Sequence, residues 1–123
     1  MTVSLESPCV KSDYKLKKLY RELNEKYFDN SLPDLQVAFF SPEHFKQKKW
    51  GGKMTVAATE FHDNKPAIVA LKKQKENCYT DIKLSLLHEM IHVKTGIINC
   101  EKSKKFKKEI RRLAAEGAFD DVL

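Results

Sequence analysis

The segment His88-Glu89-Met90-Ile91-His92 constrains this chain more than any other, because its chemistry exists only on a helix. Residues four apart stack on one helical face, so His88 and His92 can turn their ring nitrogens toward one metal ion about 2.0–2.1 Å away. Glu89 is rotated by about 100° from His88 and does not join them as a ligand. It is placed instead to act as a general base on water held at the metal, a role that works at neutral pH because zinc brings the pKa of that water toward roughly 7. A helix carrying this pattern is the signature of a zinc peptidase.

The flanking residues agree with a helix. Thr80-Asp81 reads as an N-cap, Ile82, Leu86, Leu87, Met90, Ile91 and Val93 make a largely apolar run, and Gly96 stands where such a helix would stop. Read instead as ordinary histidines on a half-buried helix, with Glu89 on its solvated edge, the same residues would still need polar partners in so apolar a setting.

The rest of the chain reads as elements around that helix. Residues 1–11 show no period and predict a loose N-terminal arm, ahead of a single domain over 12–123. Ser12 or Asp13 caps a helix whose Leu16, Leu19, Tyr20, Leu23, Tyr27 and Phe28 share one face, and Asp29-Asn30-Ser31 with Pro33 end it. Leu35, Val37 and Phe39 alternate with Gln36, Ala38 and Phe40 in a short strand closed by Ser41-Pro42. The basic stretch Glu43 to Lys49 reads as a loop or single turn, and Trp50-Gly51-Gly52 leads into a strand over Lys53 to Thr59.

Asp63-Asn64-Lys65-Pro66 signals a turn, and Ala67 to Leu71 reads as a strand buried on both faces. A last helix from about Ser103 to Glu116 sets Phe106, Ile110 and Leu113 against a dense basic face and stops at Gly117, with Phe119 and Leu123 packing the tail back onto the domain. The order, helix, three short strands, helix, helix, defines an α+β class.

At 123 residues the chain fits one hydrophobic core, and its 41% hydrophobic and 33% charged content describe a soluble protein with a heavily solvated surface. Its apolar runs fall short of the roughly 20 residues of a membrane span, and its N-terminus lacks a secretory pattern. Cys9, Cys78 and Cys100 are scattered without a CxxC pair. They read as free thiols in a reducing cytoplasm and exclude a four-cysteine zinc ribbon. The net charge of +6, from 23 basic and 17 acidic side chains, gives a mild attraction for polyanions such as nucleic acid. Lys102, Lys104, Lys105, Lys107 and Lys108 carry much of it, although a solvated helix face explains such runs as well. His44 and His62, in segments that read as loops or strand ends, are surface residues on this reading.

Taken together, Leu19-Tyr20 through Tyr27-Phe28, Leu32-Pro33, Trp50-Gly51-Gly52 and Leu86-Leu87-His88-Glu89-Met90-Ile91-His92 resemble the SprT-like metalloprotease domain, over about residues 14 to 117. The resemblance implies a small zinc endopeptidase of gluzincin-like architecture, with relatives that degrade proteins crosslinked to DNA and reach them by binding DNA. It also implies a third zinc ligand from a His-Gly pair opening the last helix, four residues before a core aromatic. With Phe106 as that aromatic, Lys102 and Ser103 stand in those positions, and no histidine follows His92.

Catalytic zinc normally takes three protein ligands and water, so the missing histidine needs a substitute. Glu101, beside the vacant position, is the first candidate, because two histidines and a glutamate form an established catalytic zinc set. Cys100 is a softer alternative, and Glu109, some 10 Å further along the helix, ranks third. The expected activity is zinc-dependent peptide hydrolysis by a monomer acting on protein or peptide, with Glu89 as general base and DNA as a candidate partner. The alternative is a weakly active or inactive SprT-like module that binds DNA or a protein through its basic surface. An exposed strand edge beside the motif helix would let a peptide substrate add as an extra strand.

Overall fold

Ser12 opens the first helix, α1 (Asp13–Tyr27), by accepting a hydrogen bond from the Lys15 amide at 3.1 Å. Its Leu16, Leu19, Tyr20, Leu23 and Tyr27 are buried along one face, as their spacing predicts. The chain leaves the helix through Asp29 and Asn30, both left-handed with φ of 52° and 57°. Buried Asn24 then fixes the exit: its amide donates to the Leu32 carbonyl at 3.1 Å, and its Oδ1 accepts from the Leu32 amide at 3.0 Å. The structure is a computed structural model and describes residues 12–52, 55–73, 78–96 and 103–120. The arm expected over residues 1–11 lies outside them.

Three strands follow, β1 (Gln36–Phe40), β2 (Ala57–His62) and β3 (Lys65–Lys72), with β3 in the centre of the sheet. β1 runs parallel to β3, with Val37 opposite Val69 and Phe39 opposite Leu71, and β2 runs antiparallel to it, with Thr59 opposite Val69. The central position explains why Val69, Ala70 and Leu71 are all buried. Asp63 and Asn64, with φ of 53° and 64°, form the two-residue turn that joins β2 to β3.

Two strand-region expectations need correction. Residues 43–49, read as a loop or single turn, belong to a helix, α2 (Pro42–Lys48), which Ser41 caps by accepting from the His44 amide at 3.1 Å and which Pro42 starts at its first turn. Phe45 is its one buried residue, so no amphipathic period marks it. The second strand, read over Lys53 to Thr59, begins at Ala57 and reaches His62, because the bend after Trp50 delays it and the two-residue turn carries its ladder further. Gly51 makes that bend with a φ of 74°, where a Cβ would collide with the Thr55 side chain.

Strand parity divides the sheet's neighbours. Val37, Val69 and Leu71, with Phe39 and Ala57 against them, join the core built with α1 and the later helices. Phe45 of α2 lies outside that cluster; Lys72 reaches over its ring at 5.2 Å, and Trp50 meets it edge-on at 5.1 Å.

The motif helix, α3 (Tyr79–Thr95), starts from Cys78 rather than Thr80-Asp81 and ends at Gly96, whose φ is 96°. Ile82, Leu86, Leu87, Met90, Ile91 and Val93 are buried around much of its circumference, as expected of an interior helix. The last helix, α4 (Lys104–Ala115), begins with Ser103 accepting from the Phe106 amide at 3.1 Å, and Phe106 and Leu113 enter the core. Ala118 is buried and Phe119 packs on the core, as the tail reading expects, while Leu123 lies outside the described residues. Among the described residues the protein is therefore a small α+β unit of four helices and a three-stranded mixed sheet. No helix among them is long and apolar enough to cross a membrane.

Candidate metal centre

Helical spacing sets the two motif histidines side by side on α3, with ring centroids 5.0 Å apart. Two imidazoles sharing one tetrahedral metal through nitrogens at about 2.0–2.1 Å hold their centroids about 5 Å apart, so this pair suits zinc in both chemistry and spacing. Phe106 of α4 supports both rings, lying 5.1 Å from His88 and 4.8 Å from His92. Since Phe106 is 1% exposed, it forms a fixed apolar wall beside both rings.

Glu89 leaves the histidine face, as its rotation predicts, and is buried beneath the sheet at 5% exposure. Thr59 of β2 donates its hydroxyl to Glu89 Oε1 at 2.7 Å. The motif therefore meets the edge strand directly. A cleft of about 360 Å³ runs between Thr55, Val56 and Ala57 on one side and Leu84, Ser85, His88 and Glu89 on the other. Leu84 and His88 also border a second, apolar groove of about 390 Å³, completed by Ile91, Ile110, Ala114 and Phe119.

The third-ligand candidates separate. Glu101 and Cys100 lie outside the described residues, and among the described residues no three His, Cys, Asp or Glu side chains gather in a group that would hold a metal. Glu109 is engaged elsewhere: Lys94 Nζ and Arg112 both reach its Oε1 at 2.9 Å, and Arg112 also donates to the Tyr27 carbonyl. This cluster ties the end of α3 to α4 and to the end of α1. His62 binds Glu60 at 2.7 Å, and His44 packs its ring against Phe40 and Trp50, so neither joins the motif.

Burial alone would raise the Glu109 carboxyl pKa, but the hydrogen bonds and charges of Arg112 and Lys94 outweigh it and hold the group below its ordinary 4.5. A carboxylate with a depressed folded-state pKa adds stability that is present above its unfolded value and is lost as pH falls through the folded one. Glu109→Gln should cost about 1–2 kcal/mol near neutral pH, less than a fully buried pair, because the Lys94 and Arg112 side chains remain 39% and 30% exposed and are screened by water. Urea unfolding across pH checks this: the gap between parent and variant should narrow as pH falls below the ordinary carboxylate value of 4.5 and through the lower folded-state one.

No motif around Thr59 marks it as a site residue. Its one trace is strand parity, which it shares with Ala57, the cleft-lining residue two positions earlier. Comparison of the chain with models of protein families, with curated proteins and with solved structures finds no match.

Proposed function

We propose that this protein hydrolyses peptide bonds with a zinc ion held by His88, His92 and Glu101, as a gluzincin-like domain of the SprT-like metalloprotease class. The observation that carries the reading is the histidine pair 5.0 Å apart, with the buried Glu89 carboxylate between them in sequence and at the wall of an open cleft. Zinc, when bound, supplies Lewis acidity toward the scissile carbonyl and lowers the pKa of water toward roughly 7. Glu89 accepts the proton of the attacking water and returns it to the leaving amine. β2, at the edge of the sheet, offers main-chain hydrogen bonds to an extended peptide. The apolar groove beyond Leu84 and His88 has the lining to accept an apolar side chain of that peptide.

A second reading is supported by Lys104, Lys105, Lys107, Lys108 and Arg111, all exposed on α4. In it the domain is weakly active or inactive and holds DNA or a protein partner through this basic face. One experiment separates the two. Protein supplied with zinc should cleave casein or histones; Glu101→Ala should weaken zinc affinity beyond the roughly 10–100-fold that a ligand's supporting partner is worth, and Lys102→His should restore it in that background. An inactive zinc-loaded parent that shifts DNA in a gel would favour the binding reading.

A further inference from the structure

Thr59 sits on β2 opposite Val69 of the central strand, so the sheet ladder fixes its main chain on the face toward α3. Its Oγ1 lies 2.7 Å from Glu89 Oε1 and 3.5 Å from the Glu89 carbonyl oxygen. A hydroxyl has one proton, and the shorter contact has the length of a charge-assisted bond, so the proton goes to the carboxylate. The Glu89 side chain, with three rotatable bonds, is thereby anchored to β2 through its Oε1.

We propose that Thr59 is a positioning residue that registers the general base against the strand on which substrate docks. This rests on the hydrolytic reading above. A peptide added along β2 would take its register from the same main chain that carries Thr59. The distance between base and scissile carbonyl is then set within one strand and one hydrogen bond, rather than across the packing of a helix on a sheet. A displacement of about 1 Å at such a site can cost on the order of 100-fold in rate.

Thr59→Val keeps the shape and removes the donor, whereas Thr59→Ser keeps the donor. On zinc-loaded protein, Thr59→Val should lower kcat by about 10- to 100-fold with KM and zinc affinity within about twofold of the parent, and Thr59→Ser should recover most of the rate. A stability cycle in the full chain reads the contact without reference to activity. Thr59→Val should shift the unfolding equilibrium several-fold in the parent and far less in a Glu89→Ala background. Parental kcat in Thr59→Val, a Thr59→Ser variant as slow as Thr59→Val, or a cycle without coupling would each overturn the proposal. A zinc-loaded parent without peptidase activity would overturn the hydrolytic reading and the catalytic half of this one, leaving the cycle to decide whether Thr59 fixes the carboxylate.

Discussion

Glu89→Gln is expected to leave a folded, zinc-binding protein whose peptidase rate is lower by roughly 10²–10⁴-fold, the range that a positioned general base supplies. The expectation follows from where the carboxylate lies. Glu89 is 5% exposed and its Oε1 accepts a hydrogen bond from Thr59 at 2.7 Å. Glutamine has nearly the same shape, and its own Oε1 can accept the same bond, so the contact with β2 survives while the basic oxygen is lost. Burying a neutral amide in place of a carboxylate also lowers the desolvation cost, which makes a large loss of stability unexpected. Side-by-side casein cleavage and thermal melting check both halves: the rate should collapse while the melting temperature stays within a few degrees. A variant with parental activity would remove Glu89 from the chemistry.

The motif was legible in the sequence because its spacing is itself the geometry. An i, i+4 pair on a helix can face only one way, and Leu86, Leu87, Met90 and Ile91 around it required that helix to be interior. α1 and α4 were legible for the same reason, since their buried residues recur at helical intervals and Ser12 and Ser103 cap them as serine does. α2 was not, because a seven-residue helix with one buried side chain shows no period, although Ser41-Pro42-Glu43 was a usable start signal.

Contacts between distant residues left no local trace. Thr59 meets Glu89 across 30 positions, and Lys94 meets Glu109 across 15. The second pairing changes the candidate set, since a carboxylate already bound to two cations has little left to offer a metal. Ranking Glu109 by its place along the helix could not reveal that Lys94 and Arg112 hold it.

The proposed hydrolysis depends most on His88 and His92 forming one zinc site. Their rings lie 5.0 Å apart, a separation compatible with two imidazoles on one ion, and Phe106 lies beside both. Removing either imidazole leaves one described nitrogen ligand where catalytic zinc normally takes three protein ligands, so affinity should fall by orders of magnitude. The fold should tolerate the change, because both rings are only half-buried and the core around Leu86, Met90 and Phe106 is untouched. Zinc titration of the parent, His88→Ala and His92→Ala proteins tests this directly. About one tightly bound zinc per chain is expected in the parent and none in either variant; retention of the same tightly bound zinc by both variants would rule out a shared site at His88 and His92.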